Sequence, residues 1–142
     1  MQRTVQKGFT LLELLVVLLI MALLAGYVGP KMFSELDKAK EKTALRQMKT
    51  LADALGQYRL DTGRYPDEEA GLKALIERPS NEPRWHGPYL SGAVPADPWG
   101  NPYVLHNPAR DKNGHHDAEI VSLGADGRVG GTGAGKDIVY GF

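Results

Sequence analysis

Cysteine is absent from this chain of 142 residues. Its absence excludes a disulfide framework, a thiolate metal site and a cysteine nucleophile together. Net charge is absent as well, because 17 basic side chains balance 17 acidic ones. A chain without net charge has no general electrostatic attraction to nucleic acid, so no nucleic-acid partner is expected. Glycine and proline are scarce before Gly63, which places the loop-rich part of the chain after that residue.

Charged residues are also missing from residues 14–28, LLVVLLIMALLAGYV. A helix needs roughly 20 apolar residues to cross a bilayer, and residues 9–29 reach that length if Glu13 is included. A helix of a soluble core would carry a polar face, which this stretch lacks. Residues 9–29 are therefore predicted to form a single transmembrane helix.

The eight residues before this stretch, MQRTVQKG, contain two basic side chains and no acid. Positive charge before a transmembrane helix keeps that end in the cytoplasm, so we expect the rest of the chain on the opposite side. A removable signal peptide begins in a similar way and ends at a small-residue cleavage site. Ala25 and Gly26 would have to form that site, but Leu23 is a poor fit nearby and the apolar run is long for such a signal.

Glu13 is the one acidic residue within residues 9–29. An ionised carboxylate inside a bilayer is costly, so its position needs an explanation. Either Glu13 lies near the interface and reaches water, or it pairs with a positive charge in the membrane. Cleavage between Gly8 and Phe9 would create such a charge, because the new terminal ammonium could pair with the Glu13 of a neighbouring copy.

Residues 30–62 are predicted to continue as an amphipathic helix that ends at Gly63. Pro30 removes one backbone hydrogen bond, which favours a kink or a break between two helices. Apolar residues then follow the three-and-four spacing of a helix face. These residues are Leu45, Met48, Leu51, Ala52, Leu55 and Tyr58.

Residues 63–142 are predicted to form a small globular head. Asp67 is a candidate cap for a short helix that ends before Pro79, with Leu72, Leu75 and Ile76 on one side. Three aromatic residues of the irregular segment that follows are interpreted as core anchors, namely Trp85, Tyr89 and Trp99. Strands are predicted at residues 103–106, 119–123 and 138–140. A small antiparallel sheet packed on the long helix gives an α+β fold.

A glycine-rich loop, residues 122–137 with the sequence SLGADGRVGGTGAGKD, is the second informative segment. Flexible backbone, exposed carbonyls and the carboxylates of Asp126 and Asp137 suit a hard cation such as Ca²⁺. The loop lacks the pattern of an EF-hand, and Lys136 is not followed by the Ser or Thr of a phosphate-binding loop. From these residues alone, a calcium site and a plain flexible loop are both open.

Residues 7–13, KGFTLLE, resemble the processing motif of type IV pilins and pseudopilins. The resemblance implies cleavage after Gly8 by a prepilin peptidase, methylation of Phe9 and a role for Glu13 in subunit docking. It also implies that Pro30 marks a segment that can unwind when subunits pack. The resulting division is a leader at 1–8, a transmembrane assembly helix at 9–29, an amphipathic helix at 30–62 and a periplasmic head at 63–142.

Three segments of the head resemble the major pseudopilins of type II secretion systems: WHGPYL at 85–90, DPWGNPY at 97–103 and SLGADG at 122–127. The resemblance implies a type IV pilin-like fold with one structural calcium ion in the glycine-rich loop. The implied ligands are the side chains of Asp126 and Asp137 and the carbonyls of Leu123 and Arg128, with Ser122 a weaker candidate. The ending VYGF departs from the subfamily pattern, which affects the carbonyl assignments most.

The implied function is structural, and no enzymatic activity is expected. The family implies a single-pass protein of the inner membrane that polymerises with itself into a periplasmic pseudopilus. Growth of that filament would drive exported proteins towards the outer-membrane channel. Implied partners are the minor pseudopilins and the inner-membrane assembly platform.

Two alternatives remain open from the sequence. A type IV pilus pilin for adhesion, motility or DNA uptake is the nearer one. A signal-anchored periplasmic enzyme or binding domain would need a catalytic constellation that the sequence does not show. The pair His115 and His116 with Asp117 is interpreted as a turn, since adjacent histidines usually point apart.

Overall fold

The structure, a computed structural model, describes residues 7–111 and 113–142. Of the predicted leader it therefore describes only Lys7 and Gly8, and Arg3 lies outside the described residues. The chain divides into two compact units, Met1–Asp37 and Lys38–Phe142. Its elements in chain order are α1 (Leu11–Thr62), a 3₁₀ helix (Gly71–Leu75), β1 (Val104–His106), β2 (Glu119–Ser122), a second 3₁₀ helix (Gly133–Gly135) and β3 (Ile138–Gly141).

Helix α1 begins with a reciprocal pair of side-chain bonds. The Thr10 hydroxyl accepts from the Glu13 backbone N–H at 3.2 Å, and the Glu13 carboxylate accepts from the Thr10 N–H at 3.2 Å. This capping box satisfies two backbone donors that a helix start leaves without partners. The helix then continues through Pro30, so the alternative of two helices separated at that residue is wrong for this structure.

The second unit buries one face of α1. Along that face, residues 44, 48, 51, 55, 58 and 62 are buried, in alternating steps of four and three. That alternation follows from 3.6 residues per turn. Leu45 was predicted on this face, but it is 37% exposed because it lies one residue, about 100° around the helix, from Ala44. The other predicted positions are buried: Met48, Leu51, Ala52, Leu55 and Tyr58.

The short helix after α1 differs from the prediction. Asp67 Oδ1 accepts from the Ala70 N–H at 2.8 Å, so Asp67 closes the turn before the helix and does not cap the helix itself. The helix is a 3₁₀ helix of five residues. Leu72 and Leu75 are buried against the core as expected, and Ile76 follows the helix as a half-buried residue.

The three strands form an antiparallel sheet in chain order, and their ranges lie within one residue of the predicted ones. Ile120 of the central strand pairs with Leu105 on one side and Tyr140 on the other. Every residue of β2 is buried, whereas β1 and β3 are buried only in part. The α+β architecture is therefore confirmed.

Two of the predicted aromatic anchors pack on the core. The indole N–H of Trp85 donates to the Ala74 carbonyl at 2.7 Å, and its ring meets Tyr89 edge-on at 5.8 Å. Tyr89 also meets Tyr58 of α1 edge-on at 5.6 Å. Trp99 is half-buried, with the Lys40 ammonium 5.9 Å from its ring centre. Edge-on ring contacts of this kind stabilise a core beyond the area they bury.

Candidate functional site

The predicted processing site lies just before α1. Gly8 and Phe9 precede the first helical residue, Leu11, and both are exposed. The Phe9 side chain is 86% exposed. The peptide bond between Gly8 and Phe9 is therefore outside the helix, where backbone is accessible to a peptidase.

The apolar part of α1 that follows is not covered by the chain itself. One helix of the described residues, α1, is long and apolar enough to cross a membrane. Its most apolar stretch has a mean hydropathy of 2.7, and none of that stretch is buried. A signal sequence near the N-terminus would meet the same criterion. Exposed apolar area of this size requires a cover from outside the chain, either lipid or other protein.

Glu13 lies in this apolar surface among Leu12, Val16 and Val17. Its Oε2 atom accepts the Thr10 N–H, and the described residues provide no basic partner for the carboxylate. This capping role of Glu13 was not predicted from the sequence, although the spacing Thr-x-x-Glu is its usual signature. Glu13 therefore helps to cap the start of the helix and also presents a carboxylate on an apolar face.

In the head, the glycine-rich loop connects β2 to β3. Asp126 Oδ1 accepts from the Arg128 N–H at 3.0 Å, which closes a turn. Asp126 Oδ2 faces the inside of the loop. It lies 2.9 Å from where a Cβ atom would stand on Gly131 and equally close to that position on Gly135. The missing side chains of these two glycines thus leave room around the carboxylate.

Asp137 lies at the other end of the loop and bonds to Gly130. Its Oδ2 accepts from the Gly130 N–H at 2.9 Å, and its own N–H donates to the Gly130 carbonyl at 3.2 Å. Its Oδ1 is buried and has no hydrogen-bond partner among the described residues. A buried carboxylate oxygen without a partner is costly, so this atom needs a cation or a donor from outside the chain.

The main-chain candidates differ in their surroundings. Ser122 is fully buried, and its hydroxyl donates to Asp97 Oδ2 at 2.6 Å. Its hydroxyl is therefore engaged, which leaves its carbonyl as the candidate group. Leu123 is half-buried and Arg128 is exposed.

No group of three or more His, Cys, Asp or Glu side chains gathers in the described part of the chain. A cation in this loop would consequently bind two carboxylates, Asp126 and Asp137, and backbone carbonyls. Such an all-oxygen set fits Ca²⁺ better than a transition metal. The loop residues therefore fit the ion that the family resemblance implies.

The histidines of residues 115–116 lie apart from this loop. Both are exposed, and the His116 ring packs against Gly141. Asp117 forms an ion pair with Arg59 at 2.8 Å. This acid is thereby engaged with an arginine.

Comparison with known proteins connects both regions. Residues 3–28 match the prokaryotic N-terminal methylation motif, and residues 31–141 match the family described as type II secretion system (T2SS), protein G. The chain is 41% identical to the type II secretion system core protein G of Pseudomonas aeruginosa, over 97% of this chain and 96% of the relative. Its identity to the core protein G of Vibrio cholerae is 42%, over 94% of this chain and 90% of the relative.

A solved structure gives the same assignment. The crystal structure of the major pseudopilin from the type 2 secretion system of enterohaemorrhagic Escherichia coli matches with a TM-score of 0.64 and 37% identity. The match covers 78% of this chain and 93% of that chain. The matched family also favours the secretion subunit over the type IV pilus alternative. The chain belongs to the protein G family of type II secretion systems, the family of the major pseudopilins.

Proposed function

We propose that this chain is cut between Gly8 and Phe9 and then polymerises through the first part of α1 into a periplasmic pseudopilus, with one calcium ion in its head. Before assembly the chain is held in the inner membrane by residues 9–29, with the head in the periplasm. The uncovered apolar surface around Glu13 is the observation that carries this proposal. Lipid covers that surface before assembly, and the helices of neighbouring copies cover it afterwards. Minor pseudopilins and the assembly platform are the further partners of this filament.

The carboxylate of Glu13 gives the assembly its register. The capping box engages Oε2 and leaves Oε1 for a partner from another subunit. Cleavage after Gly8 supplies a cationic amine on Phe9, and methylation leaves that amine charged. Because a membrane has a low dielectric constant, such a pair is strong when made and a lone charge there is unfavourable.

Two substitutions at Glu13 separate its charge from its capping role. Glu13→Gln removes the charge but keeps an acceptor of the capping-box type, whereas Glu13→Ala removes both. We expect both variants to insert into the membrane and both to lower the filament yield by about tenfold or more, since charge pairs out of water contribute over 1.4 kcal/mol. Yield is measured by electron microscopy and cross-linking, and insertion by membrane fractionation.

Peptide mass measurement provides the control for this experiment. In the wild type and in both variants, the first peptide should begin at a methylated Phe9. Normal filament yield in Glu13→Gln would show that capping, and not charge pairing, is the role of this residue. A mature chain that begins elsewhere would contradict the proposed processing.

The calcium part of the proposal is supported by the buried Oδ1 of Asp137, for which the described residues provide no hydrogen-bond partner. A bound Ca²⁺ would offset the charges of Asp126 and Asp137 and join the two ends of the glycine-rich loop. A head without disulfides gains most from such a clip, because small domains bury limited core.

Calcium removal is the test of this part, on the full chain in detergent. We expect calcium at one hundred times its Kd to stabilise the wild type by about 2.7 kcal/mol and chelator to remove that gain. Asp126→Asn and Asp137→Asn should each abolish the gain. Because no described residue bonds Asp137 Oδ1, Asp137→Asn should not lower the melting temperature of the calcium-free protein.

Asp53→Asn is the matched control, since Asp53 is an exposed carboxylate of α1 in the same unit. It should keep the full calcium response. A wild type whose melting temperature is the same with calcium and with chelator would refute the calcium part and leave the filament part intact.

A further inference from the structure

The turn at residues 97–101, DPWGN, is organised by a buried carboxylate. Asp97 is 4% exposed, and its Oδ1 accepts from the backbone N–H groups of Trp99 at 3.1 Å and Asn101 at 2.8 Å. The Asp97 N–H in turn donates to the Asn101 carbonyl at 2.8 Å. Asp97 therefore hydrogen-bonds to both backbone polar groups of Asn101, the N–H and the carbonyl.

This turn reaches the start of the glycine-rich loop through two side chains. Asp97 Oδ2 accepts from the Ser122 hydroxyl at 2.6 Å, and that hydroxyl oxygen accepts from the Gly124 N–H at 3.3 Å. Asn101 Nδ2 donates to the Gly124 carbonyl at 2.7 Å. Both backbone polar groups of Gly124 are thus held by side chains, one of them from outside the loop.

The orientation of the neighbouring carbonyl follows from peptide geometry. A peptide bond is planar and trans, so the Leu123 carbonyl points opposite to the Gly124 N–H. Because that N–H points to Ser122, the Leu123 carbonyl points away from the Ser122 hydroxyl.

Gly124 itself has φ of 64°, and a Cβ atom there would lie 2.8 Å from the carbonyl oxygens of Ala134 and Lys136. No other residue type fits there without a shift of the loop.

The Asn101 side chain also lies beside the loop beyond Asp126. Its Oδ1 lies 3.2 Å from where a Cβ atom would stand on Gly127. One side chain therefore hydrogen-bonds to the loop at Gly124 and lies beside it at Gly127, on the two sides of Asp126. A residue that served only to close its own turn would not need the bond to Gly124.

We propose that Asn101, held in place by Asp97, is a positioning residue that fixes Gly124 and thereby presets its neighbours, the Leu123 carbonyl and the Asp126 carboxylate, for the cation. This inference rests on the proposed calcium site. A loop that is already ordered loses less conformational entropy on binding, so preorganisation appears directly as affinity. Outer contacts of this kind typically change metal affinity by 10–100-fold.

The test compares two asparagines that make the same kind of bond. Asn107 Nδ2 donates to the Pro66 carbonyl at 2.9 Å, in a part of the head that does not belong to the loop. We expect Asn101→Ala to raise the Kd for Ca²⁺ about tenfold or more in isothermal titration of the metal-free full chain in detergent. Asn107→Ala should leave that Kd unchanged and should lower the melting temperature equally with and without calcium.

Asn101→Asp provides a second variant of nearly the same size, which serves if the alanine variant does not fold. By charge alone an added carboxylate near the loop would tighten calcium binding, whereas loss of the donor to Gly124 should weaken it. We expect weaker binding. Wild-type affinity in a folded Asn101 variant overturns the positioning role alone. A wild type that takes up no Ca²⁺ in the same titration refutes the calcium site and this inference together.

Discussion

The two parts of α1 share one continuous backbone and differ in what covers them. Over residues 11–28 every side chain is exposed, and nearly every residue is apolar. Over residues 44–62 eight residues are buried, and five charged residues lie among those that are not. The number of apolar residues in a helix therefore does not show which of them the protein itself buries. Their distribution around the helix axis does.

An apolar surface on all sides requires a cover on all sides, which a single small head cannot provide. Lipid and the helices of neighbouring subunits can provide it, as the family assignment implies. A stripe with steps of three and four needs cover on one side only, and the head supplies it. The first part of α1 thus contributes its free energy to membrane binding and assembly, and the second part contributes to folding of the head.

Leucine-to-alanine substitutions in the two parts give the largest expected difference. Leu55 is fully buried, so Leu55→Ala should lower the free energy of unfolding of the head by about 2–5 kcal/mol. Leu18 is 62% exposed, so Leu18→Ala should leave that free energy unchanged. Urea unfolding of the detergent-solubilised chain, followed by the fluorescence of Trp85 and Trp99 in the second unit, measures both values.

Filament yield provides the reverse comparison for the same two variants. Leu18→Ala removes part of the surface that neighbouring helices would cover, so it should lower the yield at unchanged head stability. An equal loss of unfolding free energy in both variants would show that the two parts do not differ in the way described.

Much of the fold could be predicted because it depends on local periodicity. The strand ranges follow from short apolar segments between glycine, proline and aspartate residues. The predicted end of β2, for example, lies one residue beyond the observed one. The predicted burial stripe of α1 was wrong at one position, Leu45, and did not include Ala44, which is buried. Alanine gives a weak apolar signal, yet Ala44 is fully buried.

Long-range polar contacts could not be predicted in the same way. Asp97 and Asn101 lie in a segment interpreted for its aromatic residues, and their partners Ser122 and Gly124 are 25 and 23 residues away. Which donor meets which acceptor depends on how the sheet places the two segments, and no spacing in the sequence records it. Thr10 and Glu13, by contrast, are three residues apart and form a motif with a known local signature.

The head that packs on the second part of α1 also buries polar groups, of which Tyr103 is an example. Tyr103 is 6% exposed, and its hydroxyl donates to Gln47 Oε1 on α1. Burial, and to a lesser extent the negative charge of Asp97, raises the pKa of Tyr103 well above its usual value. Burial likewise raises the pKa of Tyr58 and of Tyr89.

Alkaline pH should therefore destabilise the head through these tyrosines. A raised pKa in the folded protein means that the unfolded chain loses its proton first, at about pH 10, so stability is fully present below that pH and falls as the pH rises further. Tyr103→Phe should cost about 1 kcal/mol at neutral pH by loss of one hydrogen bond. It should also make the free energy of unfolding fall less steeply at alkaline pH. Tyr58 and Tyr89 account for the fall that remains. Unfolding free energies of both proteins from pH 8 to pH 11 test this, and equal slopes would show that Tyr103 ionises as readily in the folded head as in the unfolded chain.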